Sequence, residues 1–122
     1  MEFDYDHWED MPDRDRDSMV AQKVMGHRII GQKEIGNDRE YYIGDSGQGR
    51  VLPHYTSDPE ICEKVVGEIQ RRGLMKYYLA ELDLILNPDG PVTIRATPTA
   101  EHAAAGCSDK CFAAIKACIR NK

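Results

Sequence analysis

The chain lacks any apolar run approaching the ~20 residues that a membrane-spanning helix needs, so nothing in it predicts insertion into a bilayer. It also lacks an excess of basic residues. Lys and Arg number 16 against 21 Asp and Glu, a net charge of −5, which argues against nonspecific adherence to DNA, RNA or anionic lipid, since that binding is built on cationic side chains. The first residues are acidic where a secretory leader would be basic. These absences predict a cytoplasmic protein with no nucleic-acid polymer and no membrane as partner.

Metal and cofactor signals are missing too. The four cysteines include no Cys-x-x-Cys pair, so no zinc site is expected and no cofactor is implied. Cys107, Cys111 and Cys118 follow one another at offsets of four and seven, which lines them along one helix face. Thiols stacked a turn apart meet disulfide geometry poorly, and with Cys62 in a predicted helix they read as buried reduced cysteines. The loop Gly44-Asp45-Ser46-Gly47-Gln48-Gly49 lacks the Lys-Ser/Thr ending of a phosphate-binding P-loop and reads as a surface turn.

What is present amounts to one domain. A chain of 122 residues buries roughly two-thirds of the surface it exposes when unfolded, enough to fold without staples. Charge is uneven: residues 1–17 hold eight acids and two bases, whereas residues 18–122 hold thirteen acids and fourteen bases. We therefore divide the chain into an acidic, aromatic N-terminal arm, 1–12, and a nearly neutral α+β domain, 13–122. The arm mixes Phe3, Tyr5 and Trp8 with acids in a pattern unlike an ordinary helix, and three aromatics are costly to leave in water, so it is expected to lie on the body or on a neighbouring subunit.

Along the domain, Asp13–Met25 has helical spacing, with acids in its first turn and Gly26 as its stop. Arg28–Ile35 and Arg39–Gly44 read as a hairpin around Gly36-Asn37-Asp38. A short strand near Val51 runs into a helix from Asp58 to about Arg72, capped by Ser57 or Asp58, carrying Pro59 in its first turn and ending at Gly73. Lys76–Leu86 alternates loosely and predicts a strand, Asn87-Pro88-Asp89-Gly90 a turn, and Val92–Thr97 another strand. Cys107 to about Arg120 closes the chain as a helix. Three helices against a small, mainly antiparallel sheet of four to five strands make an α+β sandwich.

No constellation for catalysis is visible, so we expect a protein that is not an enzyme. His54, Tyr55, Thr56 and Ser57 contain suitable atoms, but sequence neighbours point in different directions and no partner Asp is identifiable. The same atoms suit binding. The N-terminus of the 58–72 helix offers free backbone N–H groups to a phosphate, His54, Thr56 and Ser57 offer hydrogen bonds, and Arg28, Arg50 and Arg95 offer charge-assisted contacts. Tyr55 or Trp8 offers a stacking face, although each has packing as its plainer role. Asp58 and Glu60 in the same first turn oppose an anion.

The order of segments resembles the phage ABA sandwich domain family, small proteins encoded mostly in phages and prophages. The resemblance rests on Asp17-Ser18-Met19-Val20-Ala21-Gln22-Lys23-Val24-Met25-Gly26, on Leu52-Pro53-His54-Tyr55-Thr56-Ser57-Asp58 before a helix, and on Ala96-Thr97-Pro98-Thr99-Ala100-Glu101-His102 leading to Cys111-Phe112-Ala113-Ala114. The arm 1–12 and the stretch Ala103–Ser108 depart from the pattern. What the resemblance implies is an α-β-α layered sandwich and a phage context. By analogy with phage sponges that act against defence systems such as Thoeris and CBASS, it implies an anti-defence protein that sequesters a nucleotide-derived signal, a cyclic ADP-ribose isomer or a cyclic oligonucleotide, in the host bacterial cytoplasm. A homo-oligomer is expected, because clefts between small subunits enclose small ligands well. The alternative is an adaptor or inhibitor that grips a protein partner through its acidic aromatic arm.

Overall fold

A computed structural model of the protein describes residues 5–36, 38–44, 49–90 and 98–120. In chain order the elements are α1 (Tyr5–Asp10), α2 (Asp13–Lys23), β1 (Ile29–Ile35), β2 (Asp38–Ile43), β3 (Arg50–Val51), α3 (Pro59–Arg71), α4 (Met75–Leu86), α5 (Ala100–Ala104) and α6 (Cys107–Arg120). The fold is α+β, but the described residues hold three strands and six helices, where four to five strands and three helices were expected. Two corrections account for much of the difference. Lys76–Leu86 is helical, and the arm contains the helix α1. The strand expected over 92–97 lies outside the described residues.

The misread helix has a physical explanation. Tyr78, Leu79 and Leu82 are buried while Leu84 and Leu86 are exposed, so burial follows the helical period although Leu82, Leu84 and Leu86 alternate in sequence. No start signal marks it: Leu74 stands at the N-cap without a side-chain bond, and the first turn carries no acid.

The other helices begin and end as their chemistry dictates. Asp58 caps α3 by accepting from Glu60 N–H at 3.0 Å, with Pro59 at the first helical position. Cys62, Val65 and Ile69 form the inward stripe of α3. Gly73, at φ +72°, ends the helix in a conformation that favours glycine. Gly26, at φ +74°, does the same for α2 and turns the chain directly into β1. In α2 and its C-cap the buried residues are Asp17, Ser18, Val20, Ala21 and Val24, so an acid and a serine sit among the apolar positions of the inward face.

The strands form one antiparallel sheet in the order β1-β2-β3. Ile29 pairs with Ile43, which pairs in turn with Arg50, and an irregularity between Ile29 and Gly31 breaks the ladder beside that row. The sheet packs through β2 against α2; α2 packs on α6, and α6 also receives α3 and α4. The centre of the core is thus a helix. Cys111 to Ile115, Ala117 and Cys118 of α6 are all buried, and its alanines let the neighbouring helices approach closely. Trp8 of α1 is fully buried on α6, its ring stacked on Phe112 at 5.5 Å between centroids. Among the described residues no helix is long and apolar enough to cross a membrane.

Candidate functional site

The segment 52–57 is where the sequence concentrates its candidate ligand groups, and the fold uses most of them internally. Leu52 is buried and continues the sheet by donating its N–H to Tyr41 O at 3.0 Å. Thr56 donates both its backbone N–H, at 2.9 Å, and its hydroxyl, at 2.8 Å, to Oδ1 of the fully buried Asp17. The other oxygen of Asp17 accepts from the Arg14 guanidinium at 2.6 Å. Arg14 reaches further, to Glu40 at 2.9 Å through Nε, to the Leu52 carbonyl, to Pro53 O at 3.4 Å and to His54 Nδ1 at 3.1 Å.

A guanidinium has only donors, so the Nδ1 of His54 that faces it is an acceptor. On the opposite side the Cys111 thiol donates to Tyr55 O at 3.2 Å. Tyr55 and Thr56 are consequently buried, while His54 and Ser57 stay exposed at the turn. The turn itself is closed by Asp58 N–H donating to His54 O at 3.0 Å. The anion site expected at the start of α3 is already served by the chain's own carboxylate, because Asp58 caps it and Glu60 follows in the first turn.

A second group of candidates behaves differently. Gly26 turns α2 into β1 and leaves His27 and Arg28 at the corner, with His27 N–H donating to Ala21 O at 2.8 Å. The row Ile29–Ile43–Arg50 across the sheet brings β3 to the same place, and Gly44 N–H donates to Arg28 O at 3.2 Å. Arg50 Nη2 lies 3.5 Å from His27 Nε2. Here Gln22, Lys23, His27, Arg28 and Ile29 line an open pocket of about 450 Å³. Gly26 has the Arg72 guanidinium on its other side, near enough that a Cβ there would sit 3.9 Å from Nη2. Among the described residues, Lys23, Arg28 and Arg50 form no ion pair. The structure thus places Arg28 and Arg50 at the same end of the sheet, on either side of β2, adds Lys23 and His27, which sequence reasoning left without a role, and holds His54 through a different partner, Arg14.

The remaining candidates separate. Trp8 donates its indole N–H to Ser108 Oγ at 3.0 Å, and the Arg16 guanidinium sits over its ring at 5.6 Å. Fully buried, it has no face to offer a ligand. Arg95 lies outside the described residues.

One arrangement went unread in the sequence. His102, buried on α5, approaches Asp83 Oδ1 at 2.5 Å through Nε2, while Thr99 Oγ1 lies 3.2 Å from Nδ1. Hydroxyl, imidazole and carboxylate in line suggest a nucleophile and its base. However, Nδ1 already accepts the Thr99 backbone N–H at 2.9 Å, so its lone pair cannot take the hydroxyl proton. The trio is the capping box of α5, tied to α4 by Asp83. Among the described residues no group of three or more His, Cys, Asp or Glu is arranged to hold a metal ion.

Set against family models, curated proteins and solved structures, the chain has no match.

Proposed function

We propose that the protein binds a small phosphate-bearing molecule without transforming it, at the corner formed by Lys23, His27, Arg28 and Arg50. The observation that carries this reading is an open pocket of about 450 Å³ lined by Lys23, His27 and Arg28, with Arg50 reaching His27 at 3.5 Å, in a chain whose net charge is −5. Arginines that have no carboxylate partner among the described residues are suited to bidentate, charge-assisted contacts to phosphate. The pocket's size falls in the range of small-ligand sites, roughly 300–1,000 Å³. Binding is favoured over catalysis because the Thr99–His102–Asp83 alignment has its imidazole nitrogen occupied.

The resemblance to the phage sandwich family belongs to the same proposal, and it makes nucleotide-derived defence signals in the host cytoplasm the ligand class to try first. It serves for ligand class rather than layering, since the described contacts put one helix, α2, firmly against the sheet. A second copy closing the open pocket is part of the reading. The adaptor alternative loses ground because Trp8, the arm's tryptophan, is spent in the core.

The test is calorimetry of the purified chain against cyclic di- and trinucleotides, ADP-ribose and cyclic ADP-ribose isomers, with chromatography of the recovered ligand. Arg28→Ala and Arg50→Ala should each weaken binding by about tenfold or more, as expected for one lost charge-assisted hydrogen bond, and the ligand should return unchanged. Binding that survives both substitutions, or no binding in the panel, removes this corner as the site.

A further inference from the structure

A second pocket lies where α4 packs on α6, and the reading above makes no use of it. On the α4 side it is lined by Glu81, Leu84 and Ile85, with Pro88 just past the helix end, and on the α6 side by Phe112 and Lys116. Offsets of three and four from Glu81 put Leu84 and Ile85 on one helix face, and an offset of four does the same for Phe112 and Lys116. The space between them is about 270 Å³.

Two charged residues interrupt an otherwise apolar lining. Phe112 belongs to the core, whereas Leu84 is 39% exposed, so one wall of the pocket stands open to water and gains from being covered. Lys116 arches over the Phe112 ring, with Nζ 5.7 Å from the centroid. Among the described residues it forms no ion pair, so its ammonium is held at the pocket by a ring face, a weaker partner than a carboxylate.

We propose that this pocket binds a small apolar monocarboxylic acid, its carboxylate on Lys116 and its hydrocarbon body against Leu84, Ile85, Pro88 and Phe112. One cation beside apolar walls suits one negative charge on an apolar body. The corner around His27 is built the other way, with several cations for a phosphate, and the two pockets share no residue. Glu81 sets the orientation: as a carboxylate it offers an anion only repulsion, which leaves Lys116 as the place for the head group. The volume lies just under the roughly 300–1,000 Å³ of sites for drug-sized ligands, so the acid is a short one, of the class of medium-chain fatty acids.

The test uses octanoate, octanol and octylamine, matched in chain and different in head group, each titrated into the full chain by calorimetry. Octanoate should bind about tenfold or more tighter than octanol, as expected for one charge-assisted hydrogen bond, and octylamine, repelled by Lys116, no tighter than octanol. Lys116→Met, which keeps the apolar stem and drops the charge, should bring octanoate down to the level of octanol, and Lys116→Arg should restore it. Leu84→Asp, at an exposed position, sets a further negative charge on the wall. It should abolish octanoate binding while leaving the melting temperature nearly unchanged. Octanol or octylamine binding as tightly as octanoate, octanoate binding that survives both Lys116→Met and Leu84→Asp, or binding lost in Arg28→Ala instead would each overturn the proposal. So would the absence of octanoate binding up to millimolar concentration, or a dimer of the chain that Leu84→Asp dissociates and octanoate leaves intact.

Discussion

Two corners of the molecule carry its polar chemistry, and they use it in opposite ways. Around residues 52–57 the charges are partnered: Asp17 is inaccessible, Arg14 is divided among two carboxylates, two carbonyls and an imidazole, and Thr56 gives both its donors to Asp17. Where α2 turns into β1, Arg28 and Arg50 remain at the surface beside His27. Polarity at the first corner is consumed by the fold, and polarity at the second stays exposed at the surface. A stretch dense in His, Tyr, Thr and Ser is therefore a poor guide to binding until its hydrogen bonds are followed to their ends.

The sharpest way to break this comparison is Asp17→Ala. It leaves the buried Thr56 N–H without its acceptor and takes one of two carboxylates from the Arg14 guanidinium, and stranding a buried donor costs about 1–3 kcal/mol, more beside a charge. Urea denaturation should show a midpoint lowered accordingly, and a change below about 1 kcal/mol would mean that the network is not structural. Next in size is Thr56→Val, which keeps the shape, removes the hydroxyl donor and retains the backbone bond. A loss of about 1–2 kcal/mol is expected in the same assay.

At the other corner Arg28→Ala and Arg50→Ala should leave stability within about 0.5 kcal/mol of the parent, as for exposed residues that form no ion pair among the described residues. A larger loss in either would show that corner to be part of the scaffold.

The smallest effect belongs to Glu68, whose carboxyl is held below the ordinary Glu value by the Arg71 guanidinium hydrogen-bonded to it at 2.5 Å. A depressed carboxylate stabilises the fold above its unfolded pKa and gives that up as pH falls through the lower folded value. Melting temperatures followed from about pH 6 down to about pH 3 should fall less steeply in Arg71→Gln than in the parent, and by less again in high salt, since the pair is exposed.

Local signals carried much of the fold. Asp58 with Pro59, the acids at 13 and 15, and the glycines at 26, 36 and 73 fixed helix ends and a hairpin correctly, because caps and positive φ act within a few residues. The α4 helix was unreadable for lack of a cap, and α1, six residues long, is too short to show a period. The Arg14–Asp17–Thr56 network was hidden for another reason. Arg14 and Asp17 meet the 52–56 segment across 38 to 40 residues of sequence, and acids and arginines in Asp13-Arg14-Asp15-Arg16-Asp17 read as a solvated face. The signal that finds them is Asp17 itself, in helical phase with Val20, Ala21 and Val24 on the face that packs inward. Arg28 and Arg50 were legible as candidates, but their meeting depends on strand register, which no motif encodes.

The burial of Trp8 has a practical consequence for spectroscopy. The chain has one tryptophan, and its indole lies between Phe112 and the Arg16 guanidinium with its N–H on Ser108. Its emission is thus a private reporter of whether α1 is docked on α6. Release of α1 into water should shift that emission to the red, while a ligand settling at Arg28 and Arg50 should leave it unchanged, so a silent fluorescence titration and a clear calorimetric one are what a single well-behaved binding event should produce together.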